Sequence, residues 1–179
     1  MRCWRRFRPR GDPVHGCVIA VIADTHLPRG ARRLPASCVE LLRAAEAILH
    51  AGDFVSAAFL EELRRLGPPV FGVHGNMDEP ALRGLLPAER VAEVGGARLG
   101  MVHDGGPRQG RAGRLLERFP GCEAVVYGHT HMPEVSREGD VWIVNPGSPT
   151  ERRRAPAHTM ATIERDAGRL RPHLVELRA

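Results

Sequence analysis

Five short apolar runs in this chain each stop at residues that can ligate a metal or carry a proton, and that repetition limits the folds open to it. Residues 18–23 lead into Asp24-Thr25-His26, residues 48–51 into Gly52-Asp53, and residues 70–73 into Gly75-Asn76. Residues 99–102 lead into His103, and the run ending at Tyr127 leads into Gly128-His129-Thr130-His131. Runs this short, continuous and rich in β-branched residues read as strands buried on both faces. A parallel or mixed sheet presents its ligands where such strands end. One histidine at a strand end is more often a hydrogen-bonded core residue than a ligand. Seven oxygen and nitrogen donors at five strand ends imply a gathered site.

The order of the remaining elements supports an α/β sheet. Ser37-x-x-Glu40 reads as a capping box ahead of a helix over about 37–46, and Ser56 as the cap of a second helix that runs through Leu66 and stops at Gly67-Pro68. With the strands at 17–23, 48–51 and 69–73 these complete a βαβαβ unit, whose crossovers are right-handed. From Glu89 the rhythm changes to two strands about Gly95-Gly96, a helix over about 110–119, a strand over 124–127, and short alternating segments at 134–137, 141–145, 159–164 and 170–176. The sheets are therefore mixed. Two of them packed face to face with helices outside fit this order best.

At 179 residues the chain makes one domain with a substantial core. All 26 of its basic residues are arginine, and five lie in the first ten positions, which leaves 21 arginines against 21 acids over the rest. The basicity is thus a tail. We expect residues 1–16 to be a disordered basic arm and residues 17–179 to be the folded domain. A signal peptide is the weaker reading, because the apolar run behind the arginines spans only about half a dozen residues and cleavage after Ala23 would remove the strand that delivers Asp24. No apolar stretch approaches the roughly 18 residues of a membrane span. Cys3, Cys17, Cys38 and Cys122 form no close pair, which points away from a disulfide framework and toward a reducing cytoplasm. The oligomeric state is open, and a homodimer is compatible with everything read so far.

A set of aspartate, asparagine and histidine suits Mn, Ni, Fe, Co or Zn better than Mg or Ca, which prefer oxygen. One tetrahedral zinc uses three or four protein groups, whereas two ions sharing a carboxylate use about seven. Water shared by two such ions loses a proton near neutral pH and can attack phosphorus in line, so phosphoester hydrolysis is the chemistry this inventory suggests. His50 and His74 precede proposed ligands by a few residues and are expected behind or beside them. His15, His158 and His173 fall in no motif and are expected at the surface.

Asp24-x-His26, Gly52-Asp53, Gly75-Asn76, His103 and Gly128-His129-x-His131, in this order and with Asn145-Pro146-Gly147-Ser148 behind them, resemble the calcineurin-like metallophosphoesterase superfamily, in its small YfcE-like phosphodiesterase branch. The resemblance covers residues 17–179. It implies a four-layer α-β-β-α sandwich and a two-metal phosphodiesterase, with manganese the first expectation among the divalent ions. It also implies that Asp24, His26 and His131 hold one ion, that Asn76, His103 and His129 hold the other, and that Asp53 bridges them. Three departures stand out. Met77-Asp78 follows Asn76 where many members carry a leaving-group histidine, so Asp78 is expected to join Asn76 and His103 in the catalytic set and to take part of the proton-donor role. Gly105 replaces a frequent second histidine after His103, and Ala23 replaces a common serine before Asp24. The expected substrate is a small phosphoester, with activated aryl diesters cleaved well and alkyl monoesters slowly. The competing readings are a binding scaffold, because the retromer subunit of this fold has a degenerate metal site, and a nuclease that uses the tail and Arg152-Arg153-Arg154. The neutral body offers a nucleic acid no track, which disfavours the second.

Overall fold

The computed structural model describes residues 17–178, so the expected arm at 1–16 lies outside the described residues. Strand β1 (Cys17–Ile22) sits mid-sheet between β2 (Ala47–His50), which is parallel to it, and β9 (His158–Asp166), which is antiparallel. With β3 (Val70–Gly72) and β10 (Arg169–Leu177) they form a five-stranded sheet in the order β10-β9-β1-β2-β3. The second sheet runs β4 (Glu89–Val94), β5 (Ala97–Val102), β6 (Ala124–Val126), β8 (Val141–Asn145), β7 (Glu134–Glu138).

Alternation along β1 explains the layers. Ile19, Val21 and Ala23 point between the sheets, where they meet Leu99, Met101 and Val126. Ala20 and Ile22 point the other way, into a cluster with Leu42 of α1 (Ala36–Ala44) and Phe59, Leu60 and Leu63 of α2 (Ala57–Arg64). On the far side of the second sheet, Val125 and Tyr127 pack with Leu115 of α4 (Arg111–Arg118). Three apolar layers separate four layers of secondary structure, as the resemblance implied. Full burial of each large side chain contributes roughly 1.5–3 kcal/mol.

Register brings the ligand loops together. Ile22 pairs with His50 and His50 with Gly72, so β1, β2 and β3 end at one level. In the second sheet Met101 pairs with Val126, and Gly128 N–H donates to His103 C=O at 2.9 Å. The expected βαβαβ unit and glycine hairpin are both present.

Two local expectations fail. Helix α1 begins one residue earlier than the capping-box reading, with Pro35 as N-cap and no side-chain cap; Pro35 C=O accepts from Cys38 N–H at 3.0 Å and Val39 N–H at 3.1 Å. Ser37 therefore lies inside the first turn, and its buried hydroxyl has no partner among the described residues. The six-residue helix α3 (Pro80–Leu85) was not anticipated, although proline at its first position is a common start. Cys17, Cys38 and Cys122 are free thiols, and no described helix is long and apolar enough to cross a membrane.

Candidate metal centre

All seven expected ligands meet at the aligned strand ends. Asp24, His26 and His131 bring their ligand atoms within 4.8 Å of one another, and so do Asp24, Asp53 and His103. The two groups share Asp24 and are contiguous. His131 Nδ1 lies 2.5 Å from Glu151 C=O and must donate to it, which leaves the Nε2 lone pair facing Asp24 Oδ1 at 3.5 Å and His26 Nε2 at 3.3 Å. His103 Nδ1 likewise donates to Ala51 C=O at 2.8 Å, turning Nε2 to Asn76 Oδ1 at 3.1 Å and Asp53 Oδ2 at 3.3 Å. His129 Nδ1 is 3.0 Å from that same Asn76 oxygen.

Asp53 divides its two oxygens. Oδ1 accepts from Met77 N–H at 2.8 Å, while Oδ2 stands 3.3 Å from His103 Nε2 and 3.7 Å from His26 Nε2. One carboxylate oxygen thus faces both groups. Asp24 Oδ2 is buried with no hydrogen-bond partner among the described residues. Electron-pair donors facing one another, with a buried carboxylate oxygen left over, fit divalent cations in donor type and in charge.

Electrostatics agree with that fit. Burial pushes the Asp24 carboxyl up to about 8, with the nearby Asp53 charge adding to the rise against the pull of His103. Burial alone would lower His103, but its bond to Asp53 and the charge of Asp24 outweigh this and raise it to about 9. Asp53 is held at about 2, because His103 and the Met77 N–H together overcome its burial. Burial lowers His26, and lowers His131 to about 4. In the metal-free chain a proton on His103 supplies positive charge where a cation would.

Backbone conformation is as unusual as charge. Asp24, His26, Asp53, His129 and His131 have φ of 55°, 47°, 60°, 66° and 57°, a left-handed region that costs an L-residue roughly 1–2 kcal/mol. Close packing of the loops imposes it. A Cβ on Gly75 would lie 2.1 Å from Asp53 Oδ1, and one on Gly52 would lie 2.7 Å from His103 Nδ1, so glycine is required at both places.

The role expected of Asp78 needs correction. Its carboxylate is buried and accepts three backbone N–H groups, those of Val55 at 2.6 Å, Gly75 at 2.7 Å and Asp53 at 3.2 Å. A carboxylate so engaged ties the Asp53 and Asn76 loops together, with both of its oxygens taken up by backbone N–H groups. His50 is fully buried, bonded to Thr25 Oγ1 at 2.9 Å and stacked on Phe54, so it lies behind the ligands. His158 and His173 are half-buried rather than fully exposed. At Gly105 a Cβ would meet Arg111 Cδ and Tyr127 Cδ2 at 3.1 Å, so a side chain there would need those two neighbours to give by a few tenths of an ångström.

Sequence reasoning missed Glu151 and Arg32. Glu151 Oε2 is 3.6 Å from His26 Nε2, and its carboxylate is gripped by Arg32 at 3.0 and 3.2 Å. The nearest signal was the preceding Asn145-Pro146-Gly147-Ser148 block. In that block Asn145 Nδ2 donates to Gly128 C=O at 3.0 Å and Ser148 Oγ to Asp24 C=O at 2.7 Å.

Comparison with known proteins places this geometry in a family. A protein of Methanothermobacter thermautotrophicus named "Probable metallophosphoesterase" is 38% identical over 136 residues, which cover 74% of this chain and 77% of that one. A Thermotoga maritima protein solved by solution NMR superposes with a TM-score of 0.70 at 31% identity, covering 89% of this chain and 99% of that chain. Vacuolar Protein Sorting 29 of Cryptosporidium parvum shares the fold, with a TM-score of 0.69 at 22% identity over 92% of this chain and 99% of its own. Residues 18–168 match the calcineurin-like phosphoesterase superfamily domain, and the chain belongs to that superfamily.

Proposed function

We propose that this protein is a metal-dependent phosphodiesterase with a two-metal centre. The observation that carries the reading is the shared Asp53 Oδ2, placed between His26 Nε2 and His103 Nε2 at 3.7 and 3.3 Å, with three donors converging on either side of it. Asp24, His26 and His131 would hold one cation, Asn76, His103 and His129 the other, and Asp53 both. Divalent cations bound there would polarise a phosphoryl oxygen and activate water for in-line attack.

The protein's own groups then set the selectivity. Hydrogen bonds from His131 to Glu151 C=O and from His103 to Ala51 C=O fix both ring orientations, so His131 presents its Nε2 lone pair directly and His103 does so once its second proton leaves. Asp78 spends its oxygens on backbone N–H groups, and Met77, 46% exposed, stands where a proton-donating side chain would. Met132, directly after His131, is 44% exposed, so thioether side chains follow ligands at two points. A site without a placed general acid favours leaving groups that need no proton, and exposed methionines suit an aryl group.

A panel of aryl and alkyl mono- and diesters, assayed with Mn, Ni, Fe, Co and Zn in turn, tests this. We expect bis(p-nitrophenyl) phosphate to exceed the matching monoester in kcat/KM. A preference of more than about tenfold for the monoester, or roughly 1.4 kcal/mol in the wrong direction, would overturn the assignment. Less than about one metal ion per chain after reconstitution, with no diester cleaved, would favour a binding scaffold instead.

A further inference from the structure

A groove runs from the ligand loops along one side of α2, and nothing in the chemistry above uses it. It encloses about 350 Å³. Leu27 and Leu34, from the loop after His26, line it together with Val39 of α1 and with Phe59, Leu63 and Leu66 on α2 and just beyond its end. Ser56, Phe59, Leu63 and Leu66 follow one another at helical spacing and so share one face, and the ten positions from Ser56 to Leu66 rise about 15 Å. The groove is therefore long and narrow, with a floor of buried Leu27, Phe59 and Leu63.

One end of the groove is built from the ligand loops themselves. Leu27 follows His26 directly, Ser56 follows Asp53 closely, and the two loops are bonded to each other. His26 N–H donates to Asp53 C=O at 3.0 Å, Leu27 N–H to Phe54 C=O at 2.8 Å, and Ser56 Oγ to Leu27 C=O at 3.3 Å. Arg32 also lines the groove, and its guanidinium reaches Glu151, whose Oε2 lies 3.6 Å from His26 Nε2. One side chain thus borders both spaces. The polar groups along the groove are already engaged: Ser56 Oγ accepts from Phe59 N–H at 3.2 Å while it donates to Leu27, and Arg32 is held by Glu151. Arg33 and Glu62 stand exposed at the rim. A peptide laid here would bury backbone N–H and C=O groups with nothing to pair them, whereas an alkyl chain carries no such groups.

We propose that this groove seats an alkyl chain of the substrate while the phosphate sits at the metal centre. The substrate class is then a phosphodiester with one long alkyl arm, lipid-like in its chemistry, and the other arm is the leaving group. Burial of the chain against Leu27, Phe59 and Leu63 supplies the binding energy, and the shared wall at Arg32 sets where the chain gives way to the charged head. The inference rests on the phosphodiesterase reading for the phosphate only.

The test compares methyl p-nitrophenyl phosphate with octyl p-nitrophenyl phosphate, the latter kept below its critical micelle concentration. In parallel, the binding of methylphosphonate and octylphosphonate is measured by calorimetry on the metal-loaded protein. Wild type should favour the octyl compound by at least about tenfold in both kcat/KM and Kd. Ala58→Trp fills the groove from α2 and Val39→Trp fills it from α1, and each should bring both ratios to within about twofold of unity. Glu61→Trp adds the same indole to α2 outside the groove and should keep the wild-type ratio. A wild-type ratio near one, or a ratio that survives in either folded groove variant, overturns the proposal. If neither ester is cleaved the hydrolase reading fails by itself, and the calorimetric ratios still decide the role of the groove.

Discussion

Asp53→Asn exchanges one oxygen for an amide nitrogen and leaves the shape of the side chain almost unchanged. The asparagine carbonyl can keep the bond from Met77 N–H that Asp53 Oδ1 accepts at 2.8 Å, and the backbone N–H at this position can keep Asp78. Asparagine also tolerates the φ of 60°. What changes is the atom that faces His26 Nε2 and His103 Nε2, because an NH2 group cannot ligate a cation. A shared ligand is lost from both positions, and we expect metal affinity to fall by about 10²-fold or more, with turnover down by about 10²–10³-fold. The affinity loss can be read without turnover. At a metal concentration 100 times the wild-type Kd, binding stabilises the wild type by about 2.7 kcal/mol, or about 5–11 °C for a chain of this size. At the same concentration a variant with a 100-fold weaker Kd gains only about 0.4 kcal/mol, close to 1 °C. Differential scanning fluorimetry with and without chelator measures both. A variant that unfolds cooperatively and still shows the full metal-dependent shift would remove Asp53 from the centre.

Gly75→Ala should destabilise the protein by about 1–3 kcal/mol in denaturant titrations, because its Cβ would lie 2.1 Å from Asp53 Oδ1 and 2.6 Å from Asp53 N. Asp78→Asn should cost about 1–3 kcal/mol by removing an acceptor from buried backbone N–H groups, while the pH profile of diester kcat keeps its shape; loss of a descending limb at high pH would restore Asp78 as a proton donor. Metal uptake near pH 7 should release about two protons, since Asp24 at about 8 and His103 at about 9 are protonated in the metal-free chain and ligate only without those protons. Calorimetry in buffers of different ionisation enthalpy counts them, and a count near zero would contradict both shifts. Both folded-state values lie above the unfolded ones, so the folded metal-free chain holds extra protons: the Asp24 contribution is lost as pH rises from about 4 through 8 and the His103 contribution from about 6.5 through 9. Below about 6.5 the lowered His131 offsets the Asp24 loss, so pH-dependent melting in chelator should show the net fall between about 6.5 and 9.

The ends of β1, β2, β5 and β6 were legible because continuous apolar runs stop abruptly at polar donors, and the Gly95-Gly96 hairpin because two glycines separate two alternating segments. The start of α1 was not. A capping box is a local pattern, and here Pro35 took the cap position ahead of it. Helix α3 is too short for its periodicity to register. Asp78 was misread because its position after Asn76 suggests chemistry, while its partners at Asp53 and Val55 come from another loop. Arg32 and Glu151 are 119 positions apart, and no sequence pattern joins an ion pair at that distance.

Five of the seven proposed ligands occupy the left-handed region with side chains that disfavour it, and two of those five are histidines in the same four-residue segment. The native backbone at these places is one that glycine would adopt with less strain. A mutant library selected only for heat resistance in the presence of chelator should therefore drift toward glycine first at positions 26 and 129, whose side chains hold no backbone group, while Asp24, Asp53 and His131 keep backbone partners at His129, Met77 and Glu151. The same library selected with divalent metal supplied should keep the aspartates and histidines, because the bound ions would reward each of them. Thermal selection in this scaffold thus reports the presence of a ligand.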